Sequence, residues 1–231
     1  MNRLVVLDLD GTLYSLGDVV ARLFDIQVEF LAGKTGMPAS EAAEYFQRHD
    51  IYPEVTCKSK SATELFLSNG ISAAEWNAFR QDRFPVDLID LSKAVSPETV
   101  CGFRKLGKCV LLTSNSQSCA SRILNRLSIP ASAFDEIICS DTPSAPVPFR
   151  KKTAMGGLLA RFSIPPDAMV SIGDRFKTDI EPALELGGSG LLSGRPDVLP
   201  TILRDLLDGA PCTRPGCVYY SAASPRPRGE L

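Results

Sequence analysis

The chain opens on a continuous apolar run, Leu4-Val5-Val6-Leu7, that is too short for a helix and stops at Asp8-Leu9-Asp10-Gly11-Thr12. That pattern predicts a buried strand leading into a turn. From about residue 17 to 92 the apolar positions recur at helical spacing, with Val19, Leu23, Ile26 and Phe30 on one stripe and Ala42, Ala43 and Phe46 on another. No strand-like run interrupts this block, which reads as a helical insertion. Beyond it strands and helices alternate. Ser96-Pro97 opens a helix as N-cap and first residue, Gly107 closes it, and Cys109 to Leu112 is a strand. Helices near 119–127, 152–162, 178–186 and 198–207 alternate with strands near 134–139, 168–172 and 190–192. Such alternation predicts an α/β fold, a doubly wound parallel sheet with helices on both faces. Residues 1–16 and 93–208 form the expected core and 17–92 an inserted helical domain. The Pro-, Ser- and Arg-rich end, 209–231, offers little to bury and is expected to be a disordered tail.

Composition narrows the function classes. With 231 residues, 44% of them hydrophobic, the chain can bury one large α/β core or a core plus a small second domain. Net charge is −2 and basic residues are scattered, so no footprint for a nucleic acid polymer is expected. The apolar stretches are strand-length, short of the roughly 20 residues of a membrane span, so no membrane partner is expected. The first apolar run ends in carboxylates, unlike a signal peptide, and a cytoplasmic location is the default expectation. Seven cysteines (Cys57, Cys101, Cys109, Cys119, Cys139, Cys212, Cys217) form no C-x-x-C pair, which argues against disulfides and structural zinc. A single histidine, His49, leaves carboxylates to carry any chemistry.

Side chains two apart in a strand point the same way, so Asp8 and Asp10 project together from the carboxyl end of the first strand, where open α/β sheets bind ligands. Adjacent carboxylates repel unless a cation compensates them, and hard oxygen donors suit Mg²⁺. Gly11 lets the backbone approach a bound anion, and Thr12 offers a hydroxyl. The second strand ends in Thr113-Ser114-Asn115-Ser116, a seat for phosphate at the head of the next helix. A third ends in Gly173-Asp174, with Asp179 five residues on. Lys151-Lys152, at the head of another helix, is the source of a cation.

Each feature has a plainer reading. Asp-Gly is a common turn; Asp174 and Asp179 could be a turn and a helix N-cap; Thr113 could cap a helix; paired lysines often make a solvated face. His49 with Tyr45, Phe46 and Tyr52 could line a substrate, but aromatics at helical spacing are more often core, as Trp76 is expected to be.

Taken in order, the motifs resemble those of the haloacid dehalogenase superfamily: a DxDGT strand end, a Thr/Ser strand end, a Lys and an acidic GDxxxxD strand end. They stand here as Asp8 to Thr12, Thr113, Lys151 or Lys152, and Gly173 to Asp179, over roughly residues 3–192. The resemblance implies the phosphatase branch with a helical C1-type cap. It also implies Mg²⁺-dependent hydrolysis of a small-molecule phosphate monoester, a nucleotide or sugar phosphate, through an aspartyl-phosphate. By the same resemblance Asp8 is the nucleophile and Asp10 the acid and base. Mg²⁺ is held by Asp8, the Asp10 carbonyl and Asp174, with Asp179 as an outer or orienting ligand. Gly11, Thr12, Thr113, Ser114 and Asn115 border the phosphoryl group, with Lys151 or Lys152 neutralising it. Counting back from Asp174 lands on Phe149-Arg150-Lys151-Lys152, so Lys151 is preferred, Lys152 next, and Arg150 stays open. The family's dehalogenases lack an acid at the position of Asp10, which disfavours that chemistry. The Leu13-Tyr14 pair hints at relatives of pyrimidine 5′-nucleotidases. Two alternatives remain: a phosphoglucomutase-type transferase using the same intermediate, and a catalytically silent binding or regulatory protein. The oligomeric state is not legible.

Overall fold

The computed structural model describes residues 2–49, 51–52, 62–209, 215–222 and 224–228. The chain divides into two compact units, Met1–Ser15 with Asp90–Leu231, and Leu16–Ile89. The first is built on a sheet ordered β3-β2-β1-β4-β5-β6-β7. Its strands are β1 (Arg3–Leu7), β2 (Gly107–Leu112), β3 (Glu136–Ile138), β4 (Met169–Gly173), β5 (Ser189–Leu192), β6 (Val218–Ser221) and β7 (Ser224–Arg228). The first five run parallel and the last two antiparallel. β1 lies between β2 and β4, in register Val5↔Cys109 and Val5↔Val170. Buried on both faces, it needs the unbroken apolar run seen in the sequence rather than an alternating one.

Leu4 and Val6 of β1 join Val110 and Leu112 of β2 in one cluster with Met155 and Leu158 of a helix over Lys151–Phe162. Val5, Leu7, Cys109 and Leu111 alternate to the opposite face and are also fully buried. Helices therefore cover both faces, as a doubly wound parallel sheet requires. In chain order the helices of this unit are Pro97–Gly102, Gln117–Arg126, Lys151–Phe162, Glu181–Glu185 and Leu199–Leu207; the last four are termed α1 to α4 below. The helix over Pro97–Gly102 starts as its sequence predicts: the Ser96 hydroxyl accepts the Thr99 N–H at 3.3 Å and Pro97 occupies the first turn.

The expectation of a disordered end does not hold for 215–222 and 224–228. β6 pairs antiparallel with β5, in register Leu191↔Tyr219, and β7 pairs with β6. Cys217 and Val218 are buried, Val218 against Ile180 and Leu192, and the Tyr220 ring lies 5.0 Å from that of Phe176. A single strand of hydrogen bonds and a few well-placed apolar contacts suffice where composition offers no amphipathic period. Residues 210–214, 223 and 229–231, with Cys212, lie outside the described residues.

The second unit is helical: Gly17–Thr35, Ala39–Arg48, Ala62–Ser68 and Ala73–Arg80. It has a core of its own in which Phe30, Phe46, Phe66 and Trp76 meet, with Phe30 and Trp76 rings 5.2 Å apart. Phe46 and Trp76 are thus core residues, the Tyr45 ring lies 4.7 Å from that of His49 and tilted to it, and Tyr52 is exposed. Ser72 and Glu75 form a reciprocal capping box at the last of these helices. Cys101, Cys109, Cys119, Cys139 and Cys217 carry thiols, with no disulfide among the described residues; Cys57 lies outside them.

Candidate active site

Three parallel strands deliver the site. The backbone N–H of Asp8 continues the β1–β4 ladder to the Ile172 carbonyl at 2.9 Å, and that of Thr113 continues β2–β3 to the Ile138 carbonyl at 3.0 Å. Asp8 and Thr113 therefore emerge at the carboxyl edge, as does Asp174 directly after β4. Carboxylate oxygens of Asp8, Asp174 and Asp179 all lie within 4.8 Å of one another. Two glycines make that approach possible. A Cβ on Gly11, whose φ is +76°, would stand 2.5 Å from Asp174 Oδ2, and one on Gly173 would stand 2.4 Å from Asp179 Cβ. Only a residue without a side chain fits either place.

Asp179 sits in a single π-turn, Phe176–Ile180, ahead of α3 (Glu181–Glu185). It is not the N-cap; Arg175 is, and the Asp179 Oδ2 accepts the Arg175 N–H at 2.9 Å. The other Asp179 oxygen accepts from Lys151 Nζ at 2.7 Å, and Lys151 donates equally to Asp8 Oδ1 at 2.6 Å. Lys151 is the first residue of α2 (Lys151–Phe162), which aims it at the cluster. Lys152, expected beside it at the phosphate, is turned away by the helical rotation of one residue and pairs with Glu185 at 3.0 Å on the surface. Arg150 is exposed at the N-cap.

The hydroxyls and amide expected at the phosphate are engaged inside. Thr12 donates to Asp8 Oδ2 at 3.3 Å. Thr113 Oγ1 accepts the Asn115 N–H at 3.2 Å. Asn115 is fully buried and its amide donates to Asp10 Oδ2 at 2.7 Å. Ser114 is the exposed member of that strand end. The Asp10 carboxylate stands outside the three-acid cluster, held at its other oxygen by the Tyr14 hydroxyl at 2.5 Å.

Electrostatics follow from crowding acids in low dielectric. Burial pushes Asp8 up to about 7, with Lys151 pulling it down and Asp179 and Asp10 pushing it further up. Burial, then Asp8 and Asp179, hold Asp174 well above the usual carboxylate range. Burial opposes the charge on Lys151, yet Asp179 and Asp8 outweigh it and drive its pKa upward. Arg175 behaves likewise: burial works against its charge and Asp174, 3.9 Å away, holds it up.

A family profile described as haloacid dehalogenase-like hydrolase matches residues 2–187. The chain belongs to this family. No curated protein matches it in sequence. Among solved structures it resembles a phosphatase of the family from Thermococcus onnurineus, at 19% identity and TM-score 0.53 over 82% of this chain and 85% of that one. It resembles the 2-haloacid dehalogenase of Pseudomonas syringae at 17% identity and TM-score 0.51, over 89% and 100%. CbbY from Rhodobacter sphaeroides, solved with phosphate, aligns at 16% identity and TM-score 0.52 over 84% and 86%. These likenesses show the fold of the family's α/β hydrolases.

The acid cluster fits a divalent cation. Three carboxylates that each offer an oxygen within 4.8 Å of the others form a hard donor set. Burial first, and the neighbouring acids after it, push Asp8 and Asp174 upward, so a cation bound among them would favour their ionised forms. Sequence reasoning did not foresee Tyr14 or Arg175 at the site. Tyr14 entered the sequence reading only as half of the Leu13-Tyr14 pair, and its signal for a place beside Asp10 is its register, four residues on; that of Arg175 is its position between the two acids of one motif. Among the described residues no helix is long and apolar enough to cross a membrane.

Proposed function

We propose that this hydrolase cleaves small-molecule phosphate monoesters in a Mg²⁺-dependent reaction with Asp8 as nucleophile. One observation carries the reading. Asp8 accepts from a lysine at 2.6 Å and lies within 4.8 Å of two further acids, while a second acid two residues on is oriented separately by two donors. A carboxylate attacking phosphorus needs its own charge held in place and a different group to handle the proton of the leaving oxygen. Asp8 and Asp10 have those two environments. Dehalogenation would leave Asp10 without a task, because an alkyl halide releases its leaving group unprotonated.

In the first step an Asp8 oxygen bonds to phosphorus, the ester P–O bond breaks, and Asp10 gives its proton to the departing alkoxide. In the second, water attacks the aspartyl-phosphate, Asp10 takes the water's proton, and the P–O bond to Asp8 breaks. Lys151 fixes the rotamer of Asp8 and offsets charge on the phosphoryl oxygens; Ser114 is the exposed hydroxyl at the end of β2. Asp8, Asp174 and the Asp10 carbonyl would hold Mg²⁺, with Asp179 orienting Lys151 and the Arg175 backbone. The ion would supply charge stabilisation at the phosphoryl oxygens. The inserted helical unit is read as a C1-type cap, and choice among nucleotides and sugar phosphates falls to it.

The test is release of inorganic phosphate from a panel of nucleotide and sugar monophosphates, with Mg²⁺ or with chelator, for the native protein and Asp8→Asn. Turnover that needs Mg²⁺ and vanishes in the variant is expected. Turnover that survives the substitution removes Asp8 as nucleophile.

A further inference from the structure

Asp10 is gripped at both carboxylate oxygens by side chains from two separate parts of the chain, Tyr14 Oη on Oδ1 at 2.5 Å and Asn115 Nδ2 on Oδ2 at 2.7 Å. Neither donor is placed by chance. The Tyr14 ring is fully buried, and the backbone around it is tied down where the chain leaves and re-enters the α/β unit. Tyr14 bridges to Ala94, the Ser15 N–H reaches the Lys93 carbonyl at 3.2 Å, and the Val95 N–H reaches the Leu13 carbonyl at 2.9 Å. At 2.5 Å from a carboxylate oxygen, which only accepts, the phenol hydroxyl is the donor.

Asn115 is pinned as firmly. Its carbonyl accepts from the Ser140 N–H at 2.9 Å and from the Ser140 hydroxyl at 3.1 Å, and its N–H donates to Thr113 Oγ1. Its Oδ1 is buried with no hydrogen-bond partner. A buried unpaired acceptor is a standing cost that folded proteins seldom accept. Turned over, the amide would set that oxygen against the Asp10 carboxylate, so the nitrogen is the atom that faces Asp10.

We infer that Tyr14 and Asn115 are positioning residues that clamp Asp10 in the orientation from which it exchanges a proton with the leaving oxygen and then with water. A carboxylate free to rotate about its Cβ–Cγ bond would spend most of its time misdirected; one held at both oxygens keeps the remaining lone pairs aimed in fixed directions. Asp10 is only partly buried, so a reacting oxygen can reach it while the clamp holds from the protein side. This inference rests on the phosphatase reading above, in which Asp10 is the acid and base.

The test compares phenyl phosphate with 4-nitrophenyl phosphate, two esters of similar size whose leaving groups differ in their need for a proton. Full-chain native protein, Asp8→Asn, Asp10→Asn, Tyr14→Phe and Asn115→Ala are assayed with Mg²⁺. Tyr14→Phe is expected to lower kcat/KM on phenyl phosphate by roughly 10- to 100-fold while that on 4-nitrophenyl phosphate falls by no more than about threefold. Nitrophenolate should then appear in a burst followed by a slower steady state, because water attack on the aspartyl-phosphate still needs the base. Asn115→Ala should show the same pattern and Asp10→Asn a stronger one. A fall that is equal on both esters, without a burst, would mean the two side chains only support the fold, and would overturn the inference while leaving the phosphatase reading intact. An inactive native protein, or an active Asp8→Asn, would instead overturn the phosphatase reading and the clamp with it.

Discussion

Lys151→Met tests the electrostatic keystone of the site. The substitution keeps most of the buried stem and removes a cation that lies 2.6 Å from Asp8 and 2.7 Å from Asp179, with side-chain exposures of 11%, 10% and 3% for the three groups. At an effective dielectric of about 20, each contact is worth roughly 6 kcal/mol of attraction, most of it offset by the cost of burying the charges. Removing one partner of such an arrangement strands the others and costs about 3–5 kcal/mol. For a chain of this size that corresponds to a fall of roughly 6–20 °C in the melting of the α/β unit. The cost should depend on pH. In the native protein Asp8 has its pKa raised to about 7, so without metal the folded state loses stability as pH rises from the unfolded value of about 4 to that point. Lys151 is the group that pulls Asp8 down, so in the variant the loss continues above pH 7, and the gap between the two proteins widens there. Urea unfolding with chelator, at about pH 5.5 and about pH 8.5, measures both quantities. A difference below about 1 kcal/mol, or one that is the same at both pH values, would refute the idea that Lys151 compensates Asp8.

Gly173→Ala should displace Asp179, whose Cβ and Cγ lie 2.4 and 2.6 Å from the position of the new methyl. Roughly 10- to 100-fold loss in kcat/KM is expected, whereas Gly157→Ala in α2, with nothing within 4 Å of the added methyl, should keep native kinetics; equal effects in the two variants would count against close packing as the constraint. Mg²⁺ binding should release protons below pH 7, since Asp8 and Asp174 are both shifted upward and metal ligands must be ionised. Calorimetric titration in two buffers of different ionisation heat would show this, and Mg²⁺ uptake at pH 6 with no proton release would contradict it.

The parallel core was legible where a strand is a largely apolar run that stops at polar residues with a task, as in β1, β2 and β4; β3 and β5 open instead on Glu136 and Ser189. Val110-Leu111-Leu112 ends at Thr113, and Met169-Val170-Ser171-Ile172 ends at Gly173-Asp174, so the run and its terminus report the strand and the site together. β6 and β7 gave no such signal. β6 is held by backbone pairing with β5 and by Val218 and Tyr220 meeting Leu192, Ile180 and Phe176, residues earlier in the chain, and β7 by backbone pairing with β6. β6, four residues long with one buried side chain, has no period to detect.

The lysines show where register stops short of chemistry. Spacing prefers Lys151 only narrowly over Lys152, but successive side chains on a helix diverge by about 100°, so the phase of α2 separates them sharply. That phase is set by Leu158 and Met155 packing on β1 and β2, which leaves Lys151 facing the acids and Lys152 facing Glu185. Tyr14 and Asn115 illustrate the same limit from the other side. Neither residue type marks acid–base chemistry, and both acquire their part by standing against Asp10 from segments about a hundred residues apart, Asn115 with its own Oδ1 left unpaired. A sequence motif records the groups that react; the groups that aim them are spread over whichever strands and turns the fold brings alongside.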